Sequence, residues 1–260
     1  MIPKIIHYVW LGSALIPEDM QKCMDSWKKW MPEYKFMKWD DEAIKDVDSV
    51  FVHEALAERK WAFASDVIRL YAIHKYGGIY IDTDVMVYRS FDSLLQNKAF
   101  IGRENSMHQL GKTMEVYLTT CCFGAEPGNP FIKRCLDYYE GRHFVTSQNR
   151  ELLSELRLDM TLNSKIFCVL AKDLGFNSSV LADYEQHCKD DVLTIYPQRY
   201  FDATKVTVDM YTKHLALGTW RESEKENYTY SWKYKIEWRV KALMERILRK
   251  FGYVILKIER

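Results

Sequence analysis

Asp82 and Asp84 stand two residues apart in a chain of 260. In an extended segment, residues at that spacing point to the same side. Two carboxylates on one side make a hard, anionic oxygen site for Mg²⁺ or Mn²⁺. Without a cation they repel, and one carboxyl shifts its pKa upward. A divalent cation removes that conflict. It can also bridge a diphosphate and stabilise a phosphate leaving group. A capping or turn role fits the spacing as well. Asp46-Val47-Asp48 repeats the pattern without an apolar strand or a glycine pair before it, and reads as a solvated turn or helix end. The run Gly77-Gly78-Ile79-Tyr80-Ile81 gives Asp82 and Asp84 a different context. It is a buried-looking strand that delivers them to an edge, where α/β sheets place ligand sites.

Upstream, Asp66 and Arg69 are three apart and share one helical face. Their neighbours Ala62, Phe63, Ala64, Val67, Ile68 and Leu70 are apolar. A charged pair in such a helix is unfavourable unless matched. It is either a buried structural ion pair or a pair facing a cleft, where it would hydrogen-bond sugar hydroxyls. Downstream, His214 is a competent third ligand for Mn²⁺ beside two carboxylates. Its bland alternative is a satisfied structural histidine. Trp10 and Trp220 are core or lid residues on one reading and base-stacking platforms on the other.

These residues need a scaffold. Lys4 to Trp10 is an apolar, β-branched run that predicts a first strand buried on both faces. Pro17 opens a helix to Trp30, with Glu18 and Asp19 in its first turn, and Pro32 stops it. Tyr34 to Trp39 is a second strand. Strand, helix, strand begins an α/β unit with a parallel sheet. Phe51–Arg59 and Trp61–Tyr76 read as helices, the latter capped by Gly77. Ile79–Ile81, Val85–Tyr88, Ala99–Gly102, Tyr117–Phe123 and Val192–Tyr196 are further strands. Asn129-Pro130 opens a helix to Glu140, and Thr161–Leu174 is another, closed by Gly175.

The bulk numbers bound the function. There are 37 basic and 36 acidic residues, so net charge gives no reason to expect a nucleic-acid partner. The balance is uneven, though. Residues 231–260 hold nine Lys or Arg against three Glu, a net of +6, which leaves −5 for the rest. In that tail Trp232, Ile236, Val240, Leu243 and Ile247 fall on one helical face. Such a helix either packs on the domain or lies on an anionic membrane surface. The polar stretch 221–229 divides a domain of residues 1–222 from this basic segment, residues 230–260. The six cysteines lack zinc-like spacing and read as reduced, partly buried thiols of a cytosolic protein. No signal peptide and no membrane-spanning run is evident. The expected location is the cytoplasm, with the tail as a route to the inner face of the membrane.

Three blocks in order resemble glycosyltransferase family 32: Ile2 to Gly12; Ser65-Asp66-Val67-Ile68-Arg69 leading to Gly77 through Asp84; and His214 through Gly218-Thr219-Trp220. The resemblance implies a GT-A fold, a Rossmann-like, mainly parallel sheet flanked by helices, here with the C-terminal helical segment appended. It implies retaining transfer of a hexose from a nucleotide sugar, with UDP favoured and GDP-mannose as an alternative. The acceptor would be a glycan or lipid-linked glycan in capsule or lipopolysaccharide synthesis. Mn²⁺ or Mg²⁺ would be the cofactor. By similarity, Val9, Trp10 and Gly12 border the nucleotide. Asp66 and Arg69 hold the donor sugar. Asp82 contacts ribose or a metal-bound water, and Asp84 grips metal and diphosphate. His214, Thr219 and Trp220 close over the diphosphate. Asp66, Arg69 and Asp84 are then the residues on which catalysis turns. Many relatives carry Thr-Gly-Pro before the helix placed at Thr161. This chain reads Met160-Thr161-Leu162-Asn163-Ser164, with Asn163 as the candidate to line the sugar pocket instead. Two other classes stay open: a nucleotide-sugar-binding scaffold at a membrane, without turnover, and a metal-dependent phosphohydrolase. The second wants more carboxylate or histidine ligands than the sequence assembles.

Overall fold

The computed structural model describes residues 1–110, 113–203 and 205–217. In chain order its elements are β1 (Ile5–Val9), α1 (Glu18–Trp30), β2 (Lys35–Trp39), α2 (Val50–Ala57), α3 (Trp61–Tyr76), β3 (Gly78–Ile81), β4 (Val85–Val87), β5 (Ala99–Leu110) and β6 (Thr113–Ala125). There follow α4 (Pro130–Asp137), α5 (Ser154–Arg157), α6 (Asn163–Lys172), β7 (Gln186–His187), β8 (Thr194–Tyr196), α7 (Gln198–Phe201) and β9 (Thr212–His214). Seven strands form one sheet in the order β2-β1-β3-β6-β5-β8-β7, and β4 pairs with β9 in a small second sheet. Five of the seven strands run the same way, and only β6 and β7 oppose them. The fold is therefore α/β with a mainly parallel sheet, as a GT-A domain requires.

Alternation on β3 divides the core. Ile79 and Ile81 pack with Ile6, Met24, Trp27 and Phe201 on one face. Tyr80 joins Val67, Ile68, Phe123 and Phe167 on the other. Helices α2, α3, α4 and α6 thus cover one face, while α1 and α7 cover the other. The two glycines at the start of β3 are steric necessities. Gly77 caps α3 at φ +64, and a Cβ there would lie 2.6 Å from Pro127 Cδ. Gly78 has φ +103, and a Cβ would lie 2.6 Å from the carbonyl oxygen of Ile5 on β1.

Several expectations need correction. The strands expected at 99–102 and 117–123 are the bases of a long antiparallel hairpin, β5–β6, whose polar outer half carries no apolar alternation. The helix expected from Thr161 begins at Asn163, because Leu162 is extended. The helix expected to reach Glu140 ends at Asp137, and the strand expected from Val192 begins at Thr194. Asp46 and Asp48 are exposed beside a turn, as expected. All six cysteines are buried and unpaired. No helix among the described residues is long and apolar enough to cross a membrane. The basic segment from residue 230, with Thr219 and Trp220, lies outside the described residues.

His7 on β1 ties the glycine pair to β2. Its Nε2 donates to the Gly77 carbonyl at 2.8 Å, and Trp39 Nε1 donates to its Nδ1 at 3.1 Å. Accepting from Trp39 needs the neutral ring with its proton on Nε2, and burial lowers the ring's pKa to about 4. Above pH 6.5 the ring is neutral folded or unfolded. As pH falls from 6.5 to 4 only the unfolded chain takes up the proton, so stability is lost across that window. The loss assigned to His7 is about 3 kcal/mol. Chemical denaturation at pH 7 and pH 4 should show that much less pH dependence in His7→Gln than in the parent chain.

Candidate active site

The acidic pair is held by a turn. Asp82 N–H donates to the Cys121 carbonyl at 2.8 Å, which ends the β3–β6 ladder. Val85 N–H then folds back to the Asp82 carbonyl at 3.0 Å. The two carboxylates therefore meet across a β-turn, not by the strand alternation expected from their spacing. Helix α1 fixes the far side of the turn. Trp27 Nε1 donates to the Val85 carbonyl at 2.7 Å, and Ser26 Oγ accepts Val87 N–H at 2.9 Å.

The small sheet brings in His214, because β9 pairs it with Val85, the residue after Asp84. His214 Nε2 lies 3.2 Å from Asp84 Oδ1. Leu217 N–H donates to Asp84 Oδ2 at 3.0 Å, and Leu215 N–H to the Asp84 carbonyl at 3.0 Å. Burial works to raise the Asp84 pKa, but bonding to and attraction by His214 outweigh it and hold the carboxyl below its usual value. Burial likewise works against the His214 cation, and Asp84, Asp82 and Asp202 outweigh it, so its pKa is raised. Asp82, Asp84 and His214 each offer one ligand atom, all within 4.8 Å of one another.

Arg69 organises the other side. Nε donates to the Ser65 carbonyl at 3.2 Å, Nη1 to the Thr120 carbonyl at 2.8 Å and Nη2 to Ser65 Oγ at 2.8 Å. The same Nη2 lies 3.1 Å from Asp66 Oδ1 and 3.4 Å from Asp82 Oδ1. The guanidinium carbon sits 4.4 Å from the centre of the Tyr80 ring. Burial opposes the cation, yet Asp82, then Tyr80 and Asp66, keep it charged. Asp66 shows the opposite balance. Burial pushes its pKa up to about 6 despite Arg69. The pair is thus a buried ion pair, and its Arg69 also reaches Asp82. Asn163 joins it from α6, with Nδ2 3.5 Å from the Asp66 carbonyl. Its Oδ1 is buried without a hydrogen-bond partner.

The first block supplies an edge. Continuing the β1–β3 register beyond His7↔Tyr80 sets Val9 level with Asp82. The Val9 side chain belongs to the core, leaving its backbone for the edge. Trp10 Nε1 donates to the Ala14 carbonyl at 2.8 Å, and Gly12 N–H to the Asp41 carboxylate at 3.0 Å. Tyr80 was not singled out by sequence. Its hydroxyl donates to Asp82 Oδ1 at 2.5 Å. The available signal was its place two residues before Asp82, on the same side of β3.

Residues 17–101 match the model of the glycosyltransferase sugar-binding region containing a DXD motif. This stretch is similar to the sugar-binding region of DXD-motif glycosyltransferases. The match spans Asp66, Arg69, Asp82 and Asp84, but not Val9 to Gly12, Asn163 or His214. The chain is 30% identical over 135 residues to inositol phosphoceramide mannosyltransferase 3 of Schizosaccharomyces pombe, covering 50% of this chain and 35% of that protein. It is 32% identical over 145 residues to a mannosyl phosphorylinositol ceramide synthase of Saccharomyces cerevisiae, covering 52% and 34%. The chain thus spans about a third of the length of these relatives. Among solved structures, the PaToxG glycosyltransferase aligns with a TM-score of 0.46 at 22% identity, covering 66% of this chain and 69% of that one.

Proposed function

We propose that this chain is a metal-dependent, retaining glycosyltransferase that moves a hexose from a nucleotide sugar to a hydroxyl of a glycan or lipid-linked glycan. The observation that carries the reading is the gathering of Asp82, Asp84 and His214 ligand atoms within 4.8 Å at the carboxyl end of β3. Two carboxylate oxygens and an imidazole nitrogen fit Mn²⁺ better than Mg²⁺, which prefers an all-oxygen shell. The bound cation would neutralise charge on the diphosphate as the nucleotide leaves.

The chain's own residues do the rest. Asp84 supplies an ionised carboxylate, and the 215–217 backbone wraps it. Tyr80 and Arg69 both approach Asp82 Oδ1 and so favour Oδ2 for ribose or a bound water. Asp66 and the unpartnered Asn163 Oδ1 are acceptors suited to sugar hydroxyls. Arg69 holds Asp66 and Asp82 in place. The mannosyltransferase names of the relatives support a mannose donor, for which GDP-mannose is the candidate beside the UDP-hexoses. Their ceramide-linked substrates favour a lipid-linked acceptor, which the basic segment 231–260 would meet at an anionic membrane surface.

Incubation with a panel of UDP-sugars and GDP-mannose, with and without Mn²⁺, tests this. One donor should be turned over in the presence of Mn²⁺, and chelation should abolish the turnover. No turnover of any donor with Mn²⁺ and hydroxyl acceptors present would sink the proposal and leave a binding scaffold.

A further inference from the structure

Tyr80 is 2% exposed and packs among Val67, Ile68 and Phe123. Nothing in that packing needs a hydroxyl. A phenylalanine would fill the same space, and burying a hydroxyl is unfavourable unless it is bonded. Among the described residues, the one acceptor this hydroxyl reaches is Asp82 Oδ1, at 2.5 Å. The distance is short, as befits a hydroxyl donating to a carboxylate. Burial holds the Tyr80 pKa well above the usual tyrosine value, so the group is a donor at neutral pH. The hydroxyl therefore serves Asp82 and not the core.

The ring has a second task. It is packed against Phe123, with centroids 5.8 Å apart, and lies 4.4 Å from the Arg69 guanidinium carbon. Arg69 is itself tied down, by Nη1 on the Thr120 carbonyl and Nη2 on Ser65 Oγ. Held in that way, Nη2 comes to 3.4 Å from Asp82 Oδ1. Phenol and guanidinium thus converge on one oxygen of Asp82. The Asp82 backbone is fixed by its bond to the Cys121 carbonyl, but its side chain is 25% exposed. Only Tyr80 and Arg69, among the described residues, hold that carboxylate. Both do so at Oδ1, so Oδ2 is left without a donor.

We infer that Tyr80 is a positioning residue of the transferase centre, whose hydroxyl and ring set the Asp82 carboxylate in the pose that offers Oδ2 to the cation or its water. This rests on the metal-dependent reading above and assigns to it a residue that touches neither cation nor substrate. Hydrogen-bond partners of metal-binding side chains fix their orientation, and losing one weakens metal affinity by about ten- to a hundredfold.

Mn²⁺ binding to the full chain with UDP present, read from the free-ion EPR signal, tests this without turnover. Tyr80→Phe keeps the ring, and with it the core packing and the stack on Arg69. It should weaken Mn²⁺ binding about tenfold. Its melting temperature should fall by no more than about 4 °C. Asp82→Asn should weaken Mn²⁺ as well. Adding Tyr80→Phe to Asp82→Asn should then cost less than about a further twofold, because the hydroxyl acts through the carboxylate. Mn²⁺ affinity in Tyr80→Phe equal to the parent's would overturn the inference. So would a Tyr80→Phe loss that recurs in full beside Asp82→Asn. A Tyr80→Phe chain that does not fold overturns it too, since the hydroxyl would then serve the core. These results leave the metal-dependent reading standing. A parent chain that binds no Mn²⁺ with UDP present strikes both.

Discussion

Replacing Asp84 by Asn should lower metal-dependent donor turnover by about a thousandfold while the domain still folds. The side chain is 12% exposed, so its charge acts in a poorly screened setting. One of its oxygens faces His214 and the other accepts Leu217 N–H. Asn keeps the size and one acceptor oxygen, so the backbone of 215–217 retains a partner. What it loses is the negative charge, and with it the strongest group for a divalent cation. His214 also loses the partner that favours its charged form, so the substitution changes two of the three candidate ligands. Turnover measured across a Mn²⁺ titration, with thermal melting as the control for folding, checks this. Full turnover in Asp84→Asn would remove Asp84 as the metal residue. The exposed Asp46→Asn should change neither quantity, although it belongs to a D-x-D as well.

The contrast between those two acidic pairs shows what the sequence makes legible. The run before Asp82 is apolar, and the steric need for Gly77 and Gly78 is severe enough that other residues are disfavoured there. Strand, helix and strand from Ile5 to Trp39 were readable for a similar reason, since α1 has proline and acidic residues at its start and an apolar face. The geometry of the pair was not readable. Alternation predicted that Asp82 and Asp84 share a side, but a turn closed by Val85 brings them together. Nor did local pattern mark β9. A three-residue strand has too little periodicity, and His214 earns its place through a partner more than a hundred residues away in sequence. The outer half of β5–β6 was missed because Arg103 to Ser106 and Thr113 to Glu115 are too polar to read as strand. The pattern also left α7 unseen.

Arg69→Lys should lower donor turnover by more than about a hundredfold and destabilise the domain by about 2–3 kcal/mol. The guanidinium links α3 to β6 by donating to the Ser65 and Thr120 carbonyls, and it also faces Asp66 and Asp82. A lysine ammonium has three donors on one atom and cannot span those directions. It also loses the planar stack on Tyr80. Asp66 is the weak point, because burial already pushes its pKa up to about 6. With less compensation it rises further and becomes protonated near neutral pH, and an acceptor meant for a sugar hydroxyl becomes a donor. Stability and function should then separate in the double variant. Adding Asp66→Asn to Arg69→Lys removes the poorly compensated buried carboxyl and should recover part of the stability, measured by denaturant unfolding. It should recover none of the turnover, since the carboxylate itself is gone. A lysine variant with unchanged stability and turnover would reduce Arg69 to a bystander and leave the acidic pair without its organiser.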